Sequence, residues 1–341
     1  MSALTDRGED FDAFSMLQLN ELGQFIEASD GQSPAIPIDG RAVATFLKRS
    51  IVLPLNTTDV FVWIHGWQND AQRAADNARR LFKNLTVWFE RERSRYPRLG
   101  GLVPAFVAVH WPSVSLPGPI GYRRIRERAK DMTTKGHAAL CLASLLGYLD
   151  ADNSRTSGRK LLQARGGYYV HCIGHSFGGR FLAAAINVAA TPSRPCRSLL
   201  AAVRRETGFA FTVDSLCVLQ MAAPARAFGD EFSAVLDKGP LSGPIVLTHS
   251  IHDRALCLWH KVSEWQSGIG CRGAIEHAGR IGAIALRPST IPYSDHDFAH
   301  DITNVDASAY FTRGGLAEEA HSDFWQEETL HLIASIAEQV R

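Results

Sequence analysis

The sequence predicts an α/β fold in which helices cover both faces of a mostly parallel central sheet. Residues 59–64 (DVFVWI) are apolar without alternation, as expected for a strand buried on both faces. Helix-periodic segments alternate with such strands along the chain, and this alternation is typical of parallel sheets. The chain has 341 residues, 45% of them hydrophobic, which suits one large domain over 1–341.

The first part of the chain, residues 1–50, is predicted to form a hairpin followed by a short helix. Residues 13–19 and 24–27 favour strands, and the turn-forming sequence NELG at 20–23 lies between them. The helix is expected near 41–48. We expect the hairpin to lie at an edge of the sheet.

Beyond residue 59 the predicted elements alternate between strand and helix, with one interruption. Residues 111–135 are rich in proline and glycine and then basic, and we expect them to form a cap insertion. The predicted strands are at 59–64, 104–110, 168–173, 212–221, 244–250 and 281–287, and the predicted helices at 69–93, 136–150, 180–190, 225–236, 256–267 and 324–340.

Composition and charge argue against several classes of protein. The formal net charge of +1 gives no reason to expect a nucleic acid partner. The N-terminal twelve residues lack the basic start and apolar core of a secretory signal, and the longest apolar run, 138–149, is too short to span a bilayer. The six cysteines form no C-x-x-C pair and several lie in apolar segments, so we expect free thiols in a reduced, cytoplasmic protein.

The most informative part of the chain is Gly174-His175-Ser176-Phe177-Gly178. An apolar strand precedes it and a small-residue helix follows, which is the context of a nucleophile elbow. Glycine on either side of the serine lets the strand and the helix pass closely. The same pattern occurs by chance in glycine-rich loops, but without this context. Ser176 is therefore the predicted nucleophile.

A nucleophilic serine needs a base and an acid that orients the base, here expected in the order serine, acid, histidine. Asp253 follows the strand at 244–250, at the sheet edge where sites of open α/β sheets collect; its alternative role is a helix cap. His321 precedes the terminal helix and is the predicted base; its alternative is a solvent-facing histidine. His300 is the competing base.

The oxyanion donors are expected to be two backbone amides. One belongs to Phe177, next to the nucleophile, and the other to Trp67, in the loop after the strand at 59–64. The His-Gly dipeptide before Trp67 also fits a tight turn around a buried histidine. His175 is expected to pack rather than to act as a second base. The candidate pocket residues are His65, Gly66, Trp111 and His175.

Two further features match metal and dinucleotide patterns in an unsuitable context. His296 and His300 would share a face if their segment were helical, but the proline at 292 and the polar composition favour a loop. Residues 268–273 (GIGCRG) match the dinucleotide fingerprint but follow a helix-like segment rather than a strand. We predict no metal, no cofactor and a flexible loop at 268–273.

Five segments of the chain together resemble the α/β-hydrolase serine esterases and lipases. The likeness is strongest to a poorly characterised bacterial branch with an HG loop and a GHSFG elbow, and it covers about 59–340. His252 precedes the acid where asparagine or a small residue is commoner, and 268–304 is unmatched. The segments are VWIHGW at 62–67, VHWPS at 109–113, GHSFG at 174–178, HDRAL at 252–256 and HSDFW at 321–325.

This resemblance implies an α/β-hydrolase fold and a set of site residues. The implied triad is Ser176, Asp253 and His321, and the implied amide donors are Trp67 and Phe177.

The predicted function is hydrolysis of a carboxylic ester, including a lipid or thioester, through an acyl-enzyme. Aromatic residues near the site favour an apolar acyl chain, although they also pack in cores. The basic run at 122–130 could contact an anionic membrane surface weakly, but such runs are more commonly solvated helix faces. A serine peptidase or amidase on the same fold and a catalytically silent binding protein stay open. Oligomeric state does not follow from the sequence.

Overall fold

The computed structural model describes residues 13–27, 33–153, 168–191, 213–238, 240–259, 267–275, 279–312 and 320–341. Nine strands within these residues form one sheet. They are β1 (Ser15–Leu19), β2 (Phe25–Ile26), β3 (Asp59–Ile64), β4 (Pro104–His110), β5 (Tyr169–His175), β6 (Ser215–Leu219), β7 (Ile245–His249), β8 (Ile281–Ala285) and β9 (Ile302–Asp306).

The strands lie in the order β2-β1-β4-β3-β5-β6-β7-β9-β8 across the sheet. Neighbouring strands are parallel except β1 and β2, which form an antiparallel hairpin at one edge. The Asn20 side-chain oxygen holds the hairpin turn by accepting hydrogen bonds from the Leu22 and Gln24 amides. The prediction of an α/β fold built on a mostly parallel sheet is confirmed.

Helices cover both faces of the sheet because successive side chains of a strand point in opposite directions. In β3, Val60 and Val62 belong to one apolar core, and Phe61 and Trp63 belong to the other. The α-helices of the described residues are α1 (Gly40–Ser50), α2 (Ala71–Arg91), α3 (Gly118–Thr134), α4 (Ala138–Asn153), α5 (Phe177–Ala190), α6 (Ser233–Lys238), α7 (Ile269–Arg272) and α8 (Glu327–Gln339). Helices α1, α3, α4 and α5 contribute to the first core, and α2 and α8 to the second.

Helix α2 illustrates how the sequence sets the start and the buried face of an element. The Asp70 side chain accepts a hydrogen bond from the Arg73 amide at 2.8 Å, which is a typical N-cap. Ala78, Leu81 and Leu85 recur at intervals of three and four residues and are buried. The helix therefore packs this one stripe onto the sheet.

The C-terminal half differs from the prediction in three elements. β9, which the sequence analysis missed because its sequence ITNVD is largely polar, lies between β7 and β8. Its Asn304 side chain is buried and hydrogen-bonds both backbone groups of Ala274 at 2.9 Å. The helix predicted at 225–236 is reduced to α6, and the loop predicted at 268–273 contains the short helix α7.

A disulfide bond joins Cys257 to Cys271, so the expectation of free thiols is wrong for this pair. It links α7 to a π-helix, Ala255–Trp259, in the region predicted as a helix at 256–267; residues 260–266 lie outside the described part. The two cysteines are 14 positions apart, a spacing that gave no signal in the sequence. Because these two cysteines are oxidised in the structure, the cysteines no longer indicate a reducing compartment. The other described cysteines are free and buried: Cys141, Cys172 and Cys217.

Across the described parts of the chain, no helix has both the length and the apolar character that crossing a bilayer requires. The basic run at 122–130 lies on α3. There Arg123 pairs with Glu127 at 3.2 Å, and Arg128 pairs with Glu21 at 3.2 Å. These ion pairs reduce the positive charge that the helix presents.

Candidate active site

Ser176 alone connects β5 to α5. Its backbone has φ 55° and ψ −119°, a conformation that costs a non-glycine residue about 1–3 kcal/mol. Its amide donates to the Leu219 carbonyl at the end of β6 at 2.9 Å. A Cβ atom on Gly178 would lie 2.0 Å from the Ile64 carbonyl oxygen, so this close crossing of helix and strand requires glycine.

His321 lies between Ser176 and Asp253. Its Nε2 is 2.8 Å from the Ser176 Oγ, and its Nδ1 is 2.7 Å from the Asp253 Oδ2. A carboxylate only accepts hydrogen bonds, so Nδ1 carries a proton, and in the neutral ring Nε2 is then the acceptor for the serine hydroxyl. The structure therefore brings these three predicted residues, drawn from separate parts of the chain, into one hydrogen-bonded line.

Asp253 uses its two carboxylate oxygens for different partners. Oδ1 accepts from the Leu256 amide at 3.0 Å, so the helix-capping alternative is also realised. Oδ2 accepts from His321 and, at 2.9 Å, from the Gln220 Nε2. One residue thus starts the next helical turn and holds the imidazole.

His321 lies in a 3-10 turn, Ala320–Ser322, whose backbone is held by His175. The His175 Nε2 is 2.8 Å from the His321 carbonyl oxygen, and the His175 ring packs on the rings of His321 and Phe324 at 4.8 and 4.5 Å. Burial, reinforced by His321 and His65, lowers the pKa of His175 well below its ordinary value. The ring is therefore neutral, and its Nε2 proton is donated to that carbonyl.

The Gly66–Trp67 peptide passes directly against the serine. A Cβ atom on Gly66 would lie 2.9 Å from the Ser176 Cβ. The Gly66 carbonyl oxygen accepts from the His65 Nδ1 at 2.8 Å and from the Asn69 Nδ2 at 3.1 Å. Because the amide hydrogen of a trans peptide points away from its carbonyl, these two bonds fix the direction of the Trp67 amide.

His65 is neutral because burial, with a contribution from His110, lowers its pKa to about 3. Its Nε2 accepts from the Trp111 amide at 3.3 Å, which leaves Nδ1 as the donor. Trp111 is fully buried against α5, so the structure places this pocket candidate in the core. Phe177 is also buried, but its amide is at the first position of α5, where no intrahelical acceptor exists.

The features that suggested a metal lie apart from this site. His296 is in a 3-10 helix, Asp295–Phe298, and His300 lies against Gly282 in the edge strand β8. No cluster of three or more His, Cys, Asp or Glu side chains suited to a metal ion is present among the described residues. The competing base, His300, is not the histidine that contacts Ser176.

Sequence reasoning missed Gln220, which joins the loops of the acid and the base. It follows β6 directly, is fully buried and has φ 50°. Its Nε2 donates to the Asp253 carboxylate at 2.9 Å and to the Ala320 carbonyl oxygen at 3.1 Å. The available signal was its position after a strand, at the same sheet edge as the elbow. Asn69 was missed as well.

Comparisons of the chain with protein-family models, with curated proteins and with solved structures found no match. The arrangement of Ser176, His321 and Asp253 is therefore the basis for assigning a function. It provides a hydroxyl, an imidazole whose Nε2 accepts from that hydroxyl, and a buried carboxylate, which are the groups that nucleophilic catalysis by serine uses.

Proposed function

We propose that the chain is a serine hydrolase of the α/β-hydrolase type, which cleaves a carboxylic ester through an acyl-enzyme intermediate. The observation that carries the proposal is the hydrogen-bonded line Ser176–His321–Asp253 on the strained turn between β5 and α5. The chain order serine, acid, histidine and the position at the carboxyl ends of the strands support it.

Acylation begins when the His321 Nε2 takes the proton of the Ser176 hydroxyl. The serine oxygen forms a bond to the ester carbonyl carbon, and the carbonyl π electrons move to its oxygen. When the tetrahedral intermediate collapses, the carbon–oxygen bond to the alcohol breaks, and the alcohol leaves with the proton from His321. Water then repeats the sequence on the acyl-enzyme and releases the acid.

The amides of Trp67 and Phe177 are the donors to the negatively charged oxygen in this mechanism. The fixed Gly66–Trp67 peptide and the start of α5 support this role. Each such donor is typically worth about 3 kcal/mol of transition-state stabilisation. Asp253 holds the imidazole in the tautomer that accepts at Nε2 and stabilises its charged form.

The test is a panel of p-nitrophenyl esters of increasing acyl length beside peptide p-nitroanilides, with Ser176→Ala as the matched variant. The proposal predicts ester turnover that falls to background in Ser176→Ala. Full turnover by that variant would mean that another residue is the nucleophile. Preference for anilides would favour an amidase, and no turnover of either class would favour a silent binding protein.

A further inference from the structure

Two consecutive carbonyl groups of the turn that carries His321 are held by side chains from other elements. The Ala320 oxygen accepts from the Gln220 Nε2 at 3.1 Å, and the His321 oxygen accepts from the His175 Nε2 at 2.8 Å. The bond within the turn, from the Asp323 amide to the Ala320 oxygen, is longer at 3.4 Å. Among the described contacts, Gln220 and His175 therefore hold the turn most closely.

The amide group of Gln220 is restricted to one orientation by its neighbours. Its Nε2 faces two acceptors, the Asp253 Oδ2 at 2.9 Å and the Ala320 oxygen. Rotating the amide would place its Oε1 against both of these oxygens. In the described part of the chain Oε1 has no hydrogen-bond partner, which is costly for a buried acceptor.

The backbone of Gln220 is also held in an unfavourable conformation, with φ 50° in a non-glycine residue. The backbone N–H of Gln220 donates to the Thr248 Oγ1 of β7 at 3.1 Å, so the residue is fixed between β6 and β7. A strained backbone and an unpaired buried oxygen at the junction of the acid and the base point to function rather than stability.

We propose that Gln220 and His175 are positioning residues: they hold the Ala320 and His321 carbonyls, and thereby keep the imidazole within reach of Ser176. Gln220 fixes the Asp253 carboxylate through the same nitrogen. This inference rests on the proposed function of the Ser176 site. A displacement of about 1 Å can lower the rate about 100-fold, so these side chains set kcat without touching substrate.

The direct test replaces each donor with a group of similar shape. Gln220→Glu replaces an amide with two donor hydrogens by a carboxyl group with at most one, so at least one of the two oxygens loses its donor, and we expect kcat to fall about 100-fold with KM within about threefold. His175→Phe should lower kcat about tenfold, and His175→Gln, which keeps a donor, should restore part of it.

Two matched controls separate positioning from general stability. Gln326 also donates its Nε2 to two backbone carbonyls, those of Tyr310 and Asp323 at 2.8 and 3.2 Å. His331 is a buried histidine whose Nε2 is 2.9 Å from the Ile291 carbonyl oxygen. Gln326→Glu and His331→Phe should lower Tm but keep kcat within about threefold of the parent.

Each outcome decides between the two proposals. If Gln220→Glu and His175→Phe keep the parent kcat while Ser176→Ala is inactive, the positioning role is wrong and the hydrolase remains. Equal kcat losses in the controls would also overturn it. Full activity in Ser176→Ala would overturn the proposed function instead. If Gln220→Glu does not fold, Gln220→Met, which lacks the donor without adding charge, should show the same fall in kcat.

Discussion

The two ends of β5 carry the same three residue types in hydrogen-bonded contact. At its carboxyl end are Ser176, His321 and Asp253. Near its start the His171 Nδ1 is 2.9 Å from the Ser215 Oγ, and the His171 Nε2 is 3.0 Å from the Asp59 Oδ1. This second set, Ser215–His171–Asp59 (the start-edge set), lies about 16 Å from Ser176 along β5 at the usual rise per residue.

The backbone distinguishes the two sets more than the side chains do. Ser215 is the first residue of the regular strand β6 and is paired in parallel register with His171. Ser176 instead occupies a strained turn at the start of α5, beside the Gly66–Trp67 peptide. Burial does not separate them, because Ser176 and Ser215 are 1% and 2% exposed. The backbone around the serine therefore separates the two sets, and the residue types and their burial do not.

The acids of the two sets also differ in their partners. Burial raises the pKa of Asp59, but the hydrogen bond and charge of His171, with Arg341 and Thr58, outweigh it and bring this pKa below its ordinary value. Asp253 is held by the uncharged Gln220 amide and by the backbone. The acid of the start-edge set therefore has a cation, Arg341, beside it, whereas the acid of the Ser176 set is bonded to His321 and to uncharged donors.

Removing the two serines should give opposite results. Ser176→Ala is expected to lower kcat by at least about 10⁴-fold with little change in stability. Ser215→Ala should keep kcat within about twofold and cost about 1 kcal/mol of unfolding free energy through one lost hydrogen bond. Ester turnover and urea unfolding of both variants measure this. Loss of turnover in Ser215→Ala alone would reverse the assignment.

The two aspartates should divide in the same way. Asp253→Asn is expected to lower kcat about 10⁴-fold because the imidazole loses the correct tautomer. Asp59→Asn should instead lower the unfolding free energy by about 3–5 kcal/mol, since it breaks a buried ion pair and leaves the Arg341 guanidinium without its carboxylate partner. Activity per folded molecule and chemical unfolding separate these effects. A stable Asp59→Asn protein would contradict the structural role.

A methyl group on Gly66 tests the backbone that lies against Ser176. In Gly66→Ala the new Cβ would lie 2.7 Å from the His175 Nδ1, so we expect kcat to fall about 100-fold. Gly101→Ala is the matched control, because a Cβ there meets no atom within 4 Å. Steady-state kinetics of both variants provide the measurement. Equal activities would mean that this peptide plays no part in the reaction.

The smallest expected effect concerns pH and His65. Its folded pKa of about 3 lies below the ordinary 6.5, so the unfolded chain takes up a proton first as the pH falls. The stabilisation that comes from burying His65 in its neutral form is therefore present above pH 6.5 and declines as the pH falls toward 3. One such histidine accounts for about 2 kcal/mol lost at pH 5. The urea midpoints at pH 7 and pH 5 should differ less in His65→Gln than in the unsubstituted protein. An equal difference in the two proteins would mean that His65 is not buried in its neutral form.

The same contrast explains how much the sequence could predict. β3 and the elbow were accessible because apolar runs and glycine spacing are local signals. Ser176, Asp253 and His321 followed from their positions after strands and before the last helix. These signals say which residues reach the carboxyl edge of the sheet.

Other features depend on contacts between distant segments and leave no local pattern. Gln220 matters through Asp253 and Ala320, which lie 33 and 100 positions away. The polar strand β9 buries Asn304, whose side chain finds its partners in the backbone of Ala274, and the Cys257–Cys271 bond depends on the placement of α7. None of these pairings is visible before the chain is folded.

In the proposed mechanism Ser176, and not Ser215, is the reactive serine. Treatment of the folded chain with a fluorophosphonate probe, followed by intact mass measurement and peptide mapping, tests it directly. We predict one adduct, on Ser176, which is lost in His321→Ala and retained in Ser215→Ala. Because Ser176 is 1% exposed, the adduct also requires a route for the probe. A folded chain that acquires no adduct on Ser176, or acquires it on another serine, would contradict the account.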